Sequence, residues 1–179
     1  MLAQQNTGLI IIDVQGKLAT LVANSDETIQ SVITLVQGMK ILGLPVIWVE
    51  QLPNKLGATV PAIAEHLSDS EPFAKSTFSA LGNTAISQAI ASTGRTDWLV
   101  CGIETHICVY QTVCDLVENG YRAHVVSDAV SSRNPQHKDL ALDKMQRLGA
   151  HISCVEMALY ELLERADIPE FKSILPLVK

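Results

Sequence analysis

The chain has 179 residues, of which 47% are apolar and only 4% aromatic, with 13 basic against 19 acidic side chains and a net charge of −6. That length suits a single domain, residues 1–179, with an aliphatic core that needs no disulfide staples. The acidic balance and the singly scattered Lys and Arg exclude a basic stripe for nucleic acid and a polybasic contact with a membrane. No apolar run approaches spanning length and no leader pattern opens the chain, so a cytoplasmic protein is expected.

Gly8–Ile12 is a short apolar run ending at Asp13, as in a strand buried on both faces. A loop follows, and Ser25-Asp26-Glu27 marks a helix start with acidic residues at its positive end. Ile29, Val32, Ile33 and Val36 give that helix a core face, and Gly43 stops it. Pro45–Val49 is the second strand, ending at Glu50-Gln51. From Leu52 to Ala74 the pattern weakens, with one brief helical piece around Val60–Leu67. This stretch reads as a long functional loop, with Lys75 just past its end.

Asn83 caps a helix closed by Gly94. Trp98–Gly102 is a buried strand, Ile103–Cys108 a tight turn, and Val109–Asn119 a helix. Arg122–Val126 is a further strand that delivers Ser127-Asp128. Asn134-Pro135 opens a helix running to Leu148-Gly149. Ala150–Val155 is the last strand, followed by a helix over Met157–Ala166 and an apolar tail over Phe171–Val178, suited to a subunit contact. Alternating strands and helices of this length imply an α/β fold with a parallel sheet covered by helices on both faces. Ligands in such sheets lie beyond the carboxyl ends of the strands. Asp13, Glu50, Cys108 and Asp128 all follow strands and are expected on that edge, within reach of Lys75.

Four cysteines, at 101, 108, 114 and 154, include no Cys-x-x-Cys pair, which argues for free thiols over a metal cluster. Cys101 and Cys154 fall in strands, and Cys114 lies about 240° around the helix from Cys108 at roughly 100° per residue. Cys108 alone stands at a strand-to-helix junction. The unpaired N–H groups and dipole of a helix start favour a thiolate there and can hold a developing oxyanion. Asp13 is then a base for the thiol proton, or simply a turn-capping carboxylate. Lys75 lowers the thiol pKa and holds Asp13, or is a solvated surface residue. Spacing alone does not decide between these roles.

The run Gly102-Ile103-Glu104-Thr105-His106-Ile107-Cys108-Val109 resembles the nucleophile signature of the isochorismatase-like cysteine hydrolases, which include nicotinamidases and N-carbamoyl amidohydrolases. Ile11-Ile12-Asp13-Val14-Gln15 is similar to their first-strand motif, and Lys75 ahead of Ser76-Thr77-Phe78-Ser79 to their lysine segment. The resemblance implies an Asp13–Lys75–Cys108 triad on a three-layer Rossmann-like α/β fold, with a mostly parallel six-stranded sheet and helices on both faces. It also implies a cis peptide between Ile103 and Glu104, and an oxyanion hole formed by the backbone N–H groups of Glu104 and Cys108. Glu50-Gln51, Lys55-Leu56-Gly57 and Ser127-Asp128-Ala129 look like the isochorismatase domain-containing subgroup, for which the resemblance supplies no settled substrate.

Two departures narrow the chemistry. Nicotinamidases carry an Asp-x-His metal motif after the second strand, where this chain reads Glu50-Gln51-Leu52-Pro53-Asn54, with His66 the nearest later histidine. No metal and no cofactor are therefore expected. Vinyl-ether-cleaving members of the family lack the nucleophile cysteine that Cys108 supplies, so an amide, carbamoyl or ester substrate fits better. Candidate substrate contacts are Gln15, Glu50, Gln51, Phe78, Thr105 and His106. The expected partners are a small-molecule substrate and further copies of the chain, in a dimer or tetramer. The rival reading is a scaffold of the same fold that binds a ligand or a protein without turnover.

Overall fold

Strand β1, Thr7–Ile12, is buried along its whole length and lies at the centre of the sheet in a computed structural model describing residues 1–179. Its alternating side chains feed two cores. Leu9 and Ile11 face one way and Ile10 and Ile12 the other, so an unbroken apolar run serves both sides of the sheet. Flanking strands are β2 (Val46–Gln51), β3 (Phe73–Lys75), β4 (Asp97–Ile103), β5 (Arg122–Ser131) and β6 (His151–Ser153). They pair in the order β3-β2-β1-β4-β5-β6, every pair parallel. The expected six-stranded Rossmann-like sheet is observed, and all of it is parallel.

Helix α1 spans Gly16–Leu21 and α2 spans Ser25–Ile41. Val32, Leu35, Val36 and Met39 of α2 pack on one face of the sheet with Leu159 and Leu162 of α8, Val155–Leu163. The other face is covered by α5 (Thr84–Ser92), α6 (Tyr110–Glu118) and α7 (Pro135–Arg147), through Ile86, Ile90, Val113, Leu116 and Met145. Caps fall where the residue types place them: Asn83 accepts from the N–H groups of Ala85 and Ile86, and Asn134 from that of Gln136.

The stretch read as one loop contains α3 (Pro53–Leu56), α4 (Pro61–Ala64) and the edge strand β3. Three residues are too few for β3 to repeat a period and the lone turn of α3 is equally silent, whereas the brief helical piece expected around Val60–Leu67 is α4 with the 3-10 turn Glu65–Leu67 that continues it. Helix α1 was also missed, falling where a plain loop was expected after Asp13. Strand β5 runs on through Ser127-Asp128 to Ser131, with a register irregularity against β4 between Val100 and Gly102. Asp128 therefore sits within the strand. Both its oxygens accept from the N–H of Val155, which starts α8 two residues earlier than expected and leaves Cys154 as the residue before the helix rather than in a strand. The apolar tail is used within the chain. Helix α9, Pro169–Ile174, buries Ile174, and Phe171 and Val178 pack on the α2–α8 core. No helix is long and apolar enough to cross a membrane.

Strand order reverses between β1 and β4, and the crevice beyond their carboxyl ends is where such sheets place ligands. The strands approach closely there. Gly102, paired with Ile12, has φ +115°, and a Cβ on it would lie 2.0 Å from the Ile12 carbonyl oxygen. Only glycine fits. The Ile103–Glu104 peptide that follows is cis.

Candidate active site

Three elements converge on this crevice. Asp13 directly follows β1 with φ +53°, a left-handed conformation that Asp tolerates better than most residues. Lys75 ends β3, and Cys108 lies on a π turn, Thr105–Val109, between β4 and α6. Their relative exposures are 2%, 3% and 8%.

The Lys75 ammonium gives its three protons to three acceptors: Asp13 Oδ2 at 2.7 Å, Gln51 Oε1 at 2.6 Å and the Thr77 carbonyl at 3.2 Å. Gln51 is itself held, its amide donating to the Ser76 carbonyl at 3.0 Å. Asp13 Oδ1 is buried and has no partner. Cys108 neighbours this carboxylate closely enough for each group to perturb the other's ionisation.

Burial raises the Asp13 pKa, with Lys75 opposing and the charge of Glu50 adding to the rise. The Cys108 thiol is pushed up to about 12, first by burial and then by the Asp13 charge, with Lys75 only partly offsetting them. A standing thiolate was the expectation from a helix start and a nearby lysine. The resting group is instead a neutral thiol, because desolvation at this depth outweighs both influences. Cys101, buried within β4, is raised further by burial alone.

The other candidate residues divide by position. Gln15 has no polar atom to spare: its amide donates to the carbonyls of Gln51 and Gly57, and its oxygen accepts from the Gln51 N–H. It ties loops together, as Gln51 braces Lys75. Glu50 is buried, and one oxygen accepts from both the N–H and hydroxyl of Thr59 at 2.7 and 2.8 Å. Thr105 is fully buried with an unpartnered hydroxyl, whereas Phe78 is 54% exposed. Both oxygens of Glu104 accept from Arg133, whose charge and hydrogen bonds outweigh burial and hold the carboxyl below its usual pKa. Nothing in the sequence pairs Glu104 with Arg133, since 29 residues separate them.

His106 and Cys108 stand two residues apart on a helical turn and project to opposite sides. The His106 ring bonds to Ser132 Oγ at 2.9 Å and lies 4.9 Å from the His137 ring. His124 and His151 stack at the opposite end of the sheet, beside Asp97. No three His, Cys, Asp or Glu side chains cluster as a metal ligand set.

The isochorismatase domain profile matches residues 7–157. The secreted isochorismatase effector Isc1 of Phytophthora sojae is 39% identical over 175 residues, covering 96% of this chain and 83% of the relative. Among solved structures, the MAR1 ribonuclease of Caenorhabditis elegans superposes with a TM-score of 0.93 at 34% identity, covering 99% and 91% of the two chains. YcaC from Pseudomonas aeruginosa, solved with hexane-2,5-diol and covalent acrylamide, gives 0.92 at 26% identity, covering 98% and 90%. Escherichia coli YcaC, described as an octameric hydrolase of unknown specificity, gives 0.92 at 24%, covering 98% and 89%. The profile and these relatives span nearly the whole α/β unit, including every residue of the crevice, and the chain belongs to the isochorismatase family.

Proposed function

We propose that the chain is a hydrolase that cleaves a small amide, carbamoyl compound or ester through a thioester on Cys108. The observation that carries this reading is the buried Lys75–Asp13 ion pair, whose second carboxylate oxygen is left free beside the thiol. A neutral thiol beside a raised carboxylate suits general-base activation in the encounter, with no stored thiolate.

As Sγ attacks the substrate carbonyl, the thiol proton passes to Asp13. The backbone N–H groups of Glu104 and Cys108 hold the oxyanion. Asp13 returns the proton to the leaving amine or alcohol as its bond to carbon breaks, giving the thioester. Water then attacks with Asp13 taking its proton, the C–S bond breaks, and the proton goes back to sulfur. Lys75 keeps Asp13 ionised and in place between the steps. Covalent acrylamide in the P. aeruginosa relative is in keeping with a reactive nucleophile in this fold, because acrylamide adds to thiols. Assembly into a homo-oligomer is proposed with the octameric E. coli relative as support. The ribonuclease name of the C. elegans relative is not carried over, since a net charge of −6 opposes contact with phosphates.

The test uses p-nitrophenyl acetate as an activated acyl donor. A burst of p-nitrophenolate is expected, with an acetyl group on the Cys108 peptide, and Cys108→Ala and Asp13→Asn lose both. A burst that survives Cys108→Ala, or an acetyl group on another residue, overturns the mechanism, and the absence of any burst in the unaltered chain leaves the non-catalytic scaffold.

A further inference from the structure

We propose that the cleft between the π turn and α7, on the far side of the helix from Cys108, binds a small carboxylate-bearing molecule with an apolar body. Its walls are His106 and Tyr110 on one side and His137, Leu140, Ala141 and Lys144 on the other, around a volume of about 270 Å³. That volume is close to the lower end of the roughly 300–1,000 Å³ typical of small-molecule sites and too small for a folded partner.

The lining is rich in nitrogen donors. It holds two imidazoles and an ammonium and no carboxylate, in a chain where acids outnumber bases. Lys144 makes no ion pair, and its Nζ lies 4.8 Å from the centre of the Tyr110 ring. His106 uses Nδ1 on Ser132, which leaves Nε2 free. The nearby acid, Glu104, is occupied by Arg133 through both oxygens. Between these donors lie the Tyr110 ring, Ala141 and Leu140, the last 58% exposed. Residues 137, 140, 141 and 144 form one stripe of α7 at helical spacing, so α7 presents donors and apolar surface together. A carboxylate takes charge-assisted hydrogen bonds from such a set, and an apolar body covers the leucine and the ring.

Benzoate is the probe, added to the full chain while the imidazole Cε1–H resonances are followed by NMR, with His137→Ala providing assignment. Saturable shifts are expected at His106 and His137 and none at the His124–His151 pair. Binding of benzyl alcohol, and of benzoate to Lys144→Glu, is expected to be weaker by about tenfold, the scale of one charge-assisted bond, with Lys144→Arg retaining affinity. Equal binding of benzoate and benzyl alcohol, an unaffected Lys144→Glu, or shifts that never saturate would each overturn the proposal. Shifts that follow protein concentration in place of benzoate would do so as well, assigning the cleft to contact between copies of the chain.

Discussion

Replacing Lys75 by methionine keeps the length of the side chain and removes a charge that holds three buried acceptors. Its side chain is fully buried, so water cannot take its place. Asp13 Oδ2, Gln51 Oε1 and the Thr77 carbonyl would all lose their donor at once. Deleting one partner of a buried ion pair typically costs about 3–5 kcal/mol, out of a total stability of about 5–15 kcal/mol for a domain. The loss also depends on pH, in a direction the site dictates. Burial raises the Asp13 pKa on folding, so the folded chain holds this proton more readily than the unfolded one. Stability from the group is then fully present below the unfolded carboxylate value and is lost as pH rises through the folded value. Lys75 opposes that rise, and its removal leaves burial and Glu50 opposed only by the hydrogen bond from Cys108. The Lys75→Met defect measured by urea unfolding should therefore be larger near about pH 8 than near about pH 5. Adding Asp13→Asn removes the stranded carboxylate, recovers part of the loss and flattens its pH dependence. An equal defect at both pH values, or a double variant as pH-sensitive as the single, refutes the reasoning.

Two further outcomes follow from the same crevice. Gly102→Ala meets both a forbidden φ and the Ile12 carbonyl at 2.0 Å, so a loss of about 3 kcal/mol or more in thermal unfolding is expected; near-wild-type stability would contradict the close approach of β1 and β4. Alkylation of Cys108 by iodoacetamide, read by peptide mapping, should be slow at neutral pH and climb steeply as the pH approaches 12, with Asp13→Asn speeding it and Lys75→Ala slowing it. A rate profile like that of a free thiol would remove the buried, carboxylate-flanked environment.

Much of the site was legible because its residues end strands. A parallel sheet places such ends on one edge, so Asp13, Cys108 and, through its motif, Lys75 could be gathered from sequence without knowing a single angle. The resemblance added the cis peptide at Ile103–Glu104, which no pattern of apolar residues signals. Ionisation was not legible. A helix start and a lysine both favour a thiolate, but burial is a property of the packed whole and reversed the sign at Cys108. Gln15 and Gln51 illustrate the same limit: polar residues near a nucleophile suggest ligand contacts, and only the fold shows their amides engaged with backbone and Lys75. Elements too short to repeat a period, such as α3 and β3, leave no trace in a pattern.

The segment after β2 is fastened near its start. Gly16 N–H donates to the Ala58 carbonyl, Val60 N–H to the Val14 carbonyl, and Thr59 grips Glu50, while β3 anchors the far end by pairing with β2. Between these two posts, residues 61–72 are also seated on the body of the fold: Ile63 and Leu67 are buried in the core, Trp48 Nε1 donates to Ser70 Oγ, and Lys40 Nζ donates to the His66 carbonyl. The ammonium is held in register with Gln51 from both ends of the segment, by the Thr59 clasp on Glu50 before it and by the β3 pairing at Lys75 itself. Lys75 thus owes its place to contacts made away from the crevice, and a change that loosens the core seat of Ile63 or Leu67 would reach the reaction centre along the chain.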